Sequence, residues 1–404
     1  MKKINNGICA SKGFKANGVH CGIRKNKSKL DLALIMCDSI CNVASVYTTN
    51  KVKGAPIIIT QNNINDGKAQ AIICNSGNAN TCNADGETKA QMMCDLVEKY
   101  CNINSKDVVV ASTGVIGQIL PITPIINGMD SLVEGLNSNG SDLAATAIMT
   151  TDTIKKEFAY EFELDNKICH IGAIAKGSGM IHPNMATLLC FVTTDVAISS
   201  EMLSKALKGV VGDTLNMVSI DGDTSTNDML TILASGQANN TLITHCNQQY
   251  EQFEQALKVI MTDVSKAIAK DGEGATKLLE CEVYNANSKK TAQIIAKSVV
   301  CSSLLKAAIF ASDANWGRIL CAIGYADADF DINTIDVDLT SAKGKVAVCK
   351  NGVGIEFSEK IAKEILMEDA VSVKINCNNG NYNAFAWGCD LTFDYVKINA
   401  DYRT

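Results

Sequence analysis

Short apolar runs alternate with amphipathic stretches along the whole of this 404-residue chain. That alternation restricts what it can fold into. Runs of strand length are "AIIC" (71–74), "DVVVAS" (107–112), "LLCFVTT" (188–194), "MLTILA" (229–234), "TAQIIAKSVV" (291–300) and "VSVKIN" (371–376). Between them, Met202, Leu203, Ala206, Leu207, Val210 and Val211 keep helical spacing behind a serine cap. Met92, Met93, Leu96, Val97 and Tyr100 form a second stripe, and Phe253, Leu257, Ile260, Met261, Val264 and Ile268 a third. "SEKIAKEILMED" repeats the pattern from Ser358. These stripes read as core faces. Strands mixed with helices predict an α/β or α+β fold built in layers. The length allows two domains or one large layered unit. With 4 prolines and no Ser/Gly-rich linker, no flexible domain boundary is marked.

Composition removes several functions. A formal charge of -6 leaves no basic footprint, so no nucleic-acid partner is expected. No run reaches the ~18 apolar residues of a membrane span. The opening "MKKINNGICASKGFKANGV" has no apolar h-region, so the expected location is cytoplasmic. The 17 cysteines are odd in number, scattered and free of CxxC pairs. They read as small buried hydrophobes, not as a disulfide framework or a metal centre.

Polar, glycine-rich segments recur, most of them beside apolar runs: "GNANTCNADG" (77–86), "STGVIG" (112–117), "KGSGMIHPNMAT" (176–187), "DGDTSTND" (221–228) and "DGEGATK" (271–277). Each reads as a turn or as a site on a rigid scaffold. Neither GxxxxGK[ST] nor GxGxxG spacing occurs, which removes the common nucleotide cradles. "DGDTSTND" fails as a calcium loop, because Thr226 stands where glycine is needed and Ile232 where a bidentate glutamate is needed. His182, in a His-Pro step without an acidic neighbour to orient it, reads as scaffolding.

Thr187 offers a different chemistry. Cleavage before a threonine frees an α-amine that can act as base for the same residue's hydroxyl, its ordinary pKa being about 7.7–8.0. Ala186 is small and leaves the carbonyl open, while Gly177 and Gly179 allow the strained turn of an N-to-O acyl shift. From the residues alone, a β-branched threonine opening a strand is an equally complete reading.

"KGSGMIHPNMATLLCFVTTD" resembles the signature of the ornithine acetyltransferase family, the glutamate N-acetyltransferases of the cyclic arginine pathway. "YTTNKVKGAP" (47–56), "NSGNAN" (75–80), "STGVIG", "MTTDT" (149–153), "DGDTSTND", "DGEGATK", "SDANWGR" (312–318) and "INADYRT" (398–404) extend the likeness over essentially the whole chain. The resemblance implies a four-layer αββα sandwich and self-cleavage between Ala186 and Thr187. The resulting chains, 1–186 and 187–404, would pair as a dimer of heterodimers. It implies Thr187 as nucleophile and, through its amine, as base, with Thr113 and Gly114 as oxyanion hole. Substrate contacts carry over to Thr153, Lys176, Thr187, Glu273, Asn399 and Thr404.

The implied reaction moves acetyl from N2-acetylornithine to glutamate by double displacement. Lys176 suits the α-carboxylate, and Glu273 the ornithine side-chain ammonium. No metal or cofactor is implied; acetyl-CoA stands as a second donor that only some members use. Two rivals share the pocket: a self-processing amidase or aminopeptidase of related fold, which carries serine at the cleavage site, and a non-catalytic amino-acid-binding protein.

Overall fold

The computed structural model describes residues 1–182 and 188–400. Ala186, Thr187 and Thr404 lie outside the described residues. The strands in chain order are β1 (Lys2–Ile4), β2 (Phe14–Val19), β3 (Leu32–Tyr47), β4 (Lys68–Asn78), β5 (Val108–Val115), β6 (Lys156–Leu164), β7 (Lys167–Lys176) and β8 (Leu189–Thr194). They continue with β9 (Val218–Ser219), β10 (Met229–Ala234), β11 (Leu278–Ala286), β12 (Asp336–Ser341), β13 (Gly344–Lys350), β14 (Val353–Gly354), β15 (Ala370–Asn376) and β16 (Tyr382–Cys389).

Two compact units emerge. The first holds residues 1–177, 184–212 and 224–264; the second holds 178–183, 213–223 and 265–404. Segments from both sides of residue 187 therefore build the first unit, and packing does not divide the chain at the expected cleavage point.

In the first unit one sheet runs β1-β6-β7-β8-β10-β3-β4-β5, with β2 also on β3. β3 is long enough to serve two groups of strands. Leu32–Cys37 pairs with β2, and Asn42–Tyr47 pairs with β10. Its pairing with β4 shifts register between Met36 and Cys41.

The period of two then sorts neighbouring side chains into separate cores. Leu32, Leu34, Ala71, Ile73, Val108 and Val110 pack with Met93 and Val97 of the helix Gly86–Cys101 and with Ile125 and Met129 of the helix Ile122–Glu134. Their neighbours Ala33, Ile35, Ile72, Cys74, Val109 and Ala111 share the other core with Ile174 of β7, Leu189 and Phe191 of β8, and Met229 and Leu233 of β10. The helix Ser200–Val211, capped by Ser199, packs along β3. Helix, sheet, sheet and helix layers agree with the expected αββα architecture. β8 and β10 are buried at all six positions, which explains their largely apolar sequences.

The second unit carries a sheet of order β14-β13-β12-β15-β11-β16-β9. β11 alternates half-buried and buried residues, one face meeting the helix Lys289–Cys301 and the other bearing Glu280 and Glu282, which pairs with Lys374 of β15.

One expectation fails here: "TAQIIAKSVV" is part of that helix. Ile, Val and Thr suggested a strand, yet Ala292, Ile295, Ala296, Val299 and Val300 are buried at helical spacing, and Ser288 accepts from the Thr291 amide as N-cap. Packing of one face overrides β propensity.

Most cysteines are buried as expected, but Cys82, Cys246 and Cys321 are exposed. Among the described residues no single helix is long and apolar enough to cross a membrane. The bent pair Lys289–Cys301 and Ser303–Phe310 meets the length and composition test, and its first helix is packed on β11 and β16.

Candidate active site

Of the expected site residues in the first unit, Thr113 and Gly114 lie near the end of β5 and Lys176 at the end of β7. Lys176, the last residue of β7, pairs with Leu189, which pairs in turn with Met229. The Met229 amide donates to the Leu188 carbonyl at 2.8 Å. Parallel and antiparallel ladders thus bring Lys176, Leu188 and Asp228 to one end of the sheet. Thr187 precedes Leu188 in the chain.

Thr113 and Gly114 close β5 opposite a register irregularity at Gly77 and Asn78. Bulges re-aim backbone groups and recur beside active sites. Gly114 has φ +133°, and a Cβ there would lie 2.3 Å from the Gly77 carbonyl carbon, so only glycine fits.

"NSGNAN" supplies the bracing of this end: Ser112 Oγ donates to Asn75 Oδ1 at 2.6 Å, and Asn75 Nδ2 donates to the Asn78 carbonyl at 2.9 Å. Asn227 adds a second brace, its amide nitrogen donating to the Ser112 carbonyl at 2.9 Å and the Ala79 carbonyl at 2.6 Å. Its Oδ1 accepts from Thr81 Oγ1 at 2.6 Å. Asn227 therefore couples the end of β5 to the approach to β10.

Asp152 organises the cations. Its side chain is fully enclosed and accepts from Lys156 Nζ at 2.7 Å, from the Gly177 amide at 2.7 Å and from the Thr150 amide at 2.9 Å. Burial pushes its pKa up, but the Lys156 and Lys176 ammoniums and these donors overcome that and hold it below the ordinary carboxylate range. Thr153 follows Asp152 and is exposed.

Asp228 is the opposite case. It is 2 % exposed, and its Oδ2 has no hydrogen-bond partner among the described residues. Burial drives its pKa well above the ordinary value, against the Ser225 hydroxyl, the Lys176 charge and the Thr48 hydroxyl.

In the second unit, Asn399 Nδ2 donates to Glu273 Oε2 at 2.8 Å, which joins two of the expected substrate contacts. Glu273 is buried, its amide donating to the Ser178 carbonyl at 2.9 Å. A Cβ on Gly179 would come within 2.4 Å of the Glu273 carboxylate. Gly179 is thus small to seat Glu273. This corrects the strained-turn expectation for Gly177 and Gly179: the left-handed residue there is Met180, at φ 57°.

His182 Nδ1 lies 3.0 Å from Ser219 Oγ and 3.7 Å from Cys301 Sγ. Burial, aided by the Lys297 charge, lowers its pKa to about 4.

The family described as ArgJ matches residues 15–404. The chain belongs to the ArgJ family. It is similar to arginine biosynthesis bifunctional protein ArgJ 1 of Clostridium acetobutylicum, with 49% identity over 406 residues covering 100% of this chain and 99% of that one. The bifunctional ArgJ of Caldanaerobacter subterraneus subsp. tengcongensis is 46% identical over 405 residues, covering 100% of both. A crystal structure of the bifunctional ArgJ from Bacillus halodurans is similar with TM-score 0.50 and 44% identity, covering 52% of this chain and 97% of that one.

For this ArgJ chain, sequence reasoning passed over Asp152, Asn227 and Asp228. The last two were visible as the end of "DGDTSTND", and Asp152 as the acid one turn before Lys156.

Proposed function

We propose that this ArgJ chain cuts itself between Ala186 and Thr187, giving chains 1–186 and 187–404, and that Thr187 then carries acetyl from N2-acetylornithine to glutamate. Acetyl transfer in arginine biosynthesis is the activity of the ArgJ relatives, and this chain is an acetyltransferase of that kind. The observation that carries the reading is the full-length match to bifunctional ArgJ proteins at 46–49% identity. Support for the cut comes from the Bacillus halodurans chain, matched over 97% of its length by 52% of this one. That is about the share of the present chain lying beyond residue 186.

The two pieces have reason to stay together. β7, before the cut, and β8, after it, are antiparallel partners from Ile171↔Thr194 to Lys176↔Leu189, and β10 pairs with β3.

The freed Thr187 amine takes the hydroxyl proton as Oγ attacks the acetyl carbonyl. The Thr113–Gly114 backbone receives the developing oxyanion; removing one such donor costs about 3–4 kcal/mol of transition-state stabilisation. The Lys176 ammonium, near Asp152, binds the α-carboxylate, with Thr153 as a further contact. Glu273 and Asn399, with Thr404, hold the rest of the substrate.

Ornithine leaves, and glutamate collects the acetyl group. The word "bifunctional" in the relatives' names supports a second activity, which we assign to acetylation of glutamate from acetyl-CoA. Assembly as two copies of each chain and a cytoplasmic location complete the reading.

Initial rates against both substrates test it. Parallel double-reciprocal lines are expected, and converging lines contradict an acetyl-enzyme. Acetate formed from N2-acetylornithine at the same rate with and without glutamate would instead make the protein a hydrolase. Native mass determination should give four chains; any other stoichiometry removes that assembly.

A further inference from the structure

Between β2 and β3 stands a cation to which the family likeness gives no role. Arg24 is half-buried, and three separate features hold it in place. The wholly buried Asp31 carboxylate accepts from the Cys21 amide at 2.6 Å, the Gly22 amide at 3.2 Å and the Arg24 amide at 2.9 Å, which fixes the backbone. The side chain then lies across Gly77, where a Cβ would meet Arg24 Cγ at 2.9 Å and Nε at 3.5 Å. The guanidinium Nη2 donates to the Met149 carbonyl. Met149 caps the C-terminus of the helix Ser141–Ile148, where unpaired carbonyls favour a cation.

Both ends of that side chain reach toward expected site residues. Gly77 is the register partner of Gly114, and a Cβ on Gly114 would lie 2.3 Å from the Gly77 carbonyl carbon. One glycine therefore separates the Arg24 stem from the expected oxyanion hole. At the other end, Met149 opens "MTTDT". From there the Thr150 amide donates to Asp152 Oδ2 at 2.9 Å, and Asp152 Oδ1 accepts from the Gly177 amide, next to Lys176, at 2.7 Å. Capping the helix would need only the guanidinium; it would not need the stem to lie on a bare glycine.

We propose that Arg24 is a positioning residue for acetyl transfer, a strut that sets the Thr113–Gly114 end of β5 at a fixed separation from Thr153 and Lys176. This rests on the acetyl-transfer reading above. A substrate gripped by Thr153 and Lys176 presents its acetyl oxygen at one place. The oxyanion donors act only if they stand within hydrogen-bond reach of that place. Arg24 works through Gly77 on one side and Met149 on the other.

The test is steady-state transfer from N2-acetylornithine to glutamate by purified, cut protein, in wild type, Arg24→Met and Arg24→Lys. Methionine keeps part of the stem and removes the donors; lysine restores a cation with donors. Arg24→Met should lose about 10²-fold in kcat, the scale of a misplacement of ~1 Å, with KM for either substrate within about threefold of wild type. Arg24→Lys should recover about tenfold or more of that loss.

Unchanged kcat in Arg24→Met overturns the strut. So does a raised KM with kcat kept, which would make Arg24 a substrate-binding group. A lowered melting temperature with kcat kept would make it a helix cap only, and overturns the strut as well. If Arg24→Met stays uncut, amide hydrogen exchange takes the place of the rates. Faster exchange at Gly114 and at residues 150–153 than in uncut Thr187→Ala supports the strut, and equal exchange overturns it. Wild type that forms acetate but no N-acetylglutamate overturns the acetyl-transfer reading, and the strut with it.

Discussion

Two aspartates in the first unit are both almost wholly buried, yet the pKa of one is held down and that of the other is pushed up. Asp152 is surrounded by donors, with Lys156 at 2.7 Å and the Gly177 amide at 2.7 Å, and it is held ionised. Asp228 has the Ser225 and Thr48 hydroxyls and the Lys176 charge for company, and one oxygen has no partner among the described residues. Desolvation acts on both; the number of close donors decides the outcome.

The largest effect expected from breaking this comparison is at Asp152. Asp152→Asn leaves two buried ammoniums sharing a neutral amide, and loss of one member of a buried pair costs about 3–5 kcal/mol. Urea denaturation should show that loss, and a change below about 1 kcal/mol would mean the pair is dispensable.

Next comes Asn227→Ala, which strips the Ser112 and Ala79 carbonyls of their donor. A cost of ~1–3 kcal/mol is expected, with a fall in kcat for acetyl transfer through the loosened Thr113–Gly114 end of β5. Unchanged kcat would separate that end from the oxyanion hole.

The comparison is sharpened by pH. Asp152, with its folded pKa depressed, contributes stability that is complete above the unfolded value near 3.8 and is lost as pH falls below it. Asp228, with its folded pKa raised, acts the other way: above about pH 4 the unfolded group ionises and the folded one does not, so its contribution falls as pH rises. Asp228→Asn should therefore gain on wild type in unfolding free energy as pH rises above about 4. A constant difference would show that Asp228 is ionised in the fold.

The smallest effect concerns His182, lowered to about 4 from 6.5. Its unfolded form takes up a proton before its folded form, so stability should decline as pH falls from about 6.5 toward 4. His182→Gln should flatten that decline; an unaltered slope would assign it to other groups.

How far the sequence could be read depended on the range of the interactions. β8 and β10 were legible because burial on both faces makes "LLCFVTT" and "MLTILA" largely apolar. The helices with Ser199 and Ser358 caps were legible because cap and stripe are local. "TAQIIAKSVV" was misread because its β-branched residues suit a strand, and the partner β16 that decides for a helix comes some eighty residues later. Thr113, Gly114, Lys176 and Glu273 came from a family likeness. The physical reasons for them, such as the close approach of Gly77 to Gly114 or of Glu273 to Gly179, are tertiary. Asp152 and Asp228 look alike in sequence, and only their neighbours distinguish them.

The central claim is that Thr187, freed by cleavage, carries the acetyl group. Purified protein should be incubated with N2-acetylornithine in the absence of glutamate, quenched in acid and digested for mass spectrometry. The account predicts a chain that begins at Thr187 and bears one acetyl group on that residue, lost when glutamate is added before the quench. An intact Ala186–Thr187 bond in fully active protein, or acetyl found on another residue, would contradict it.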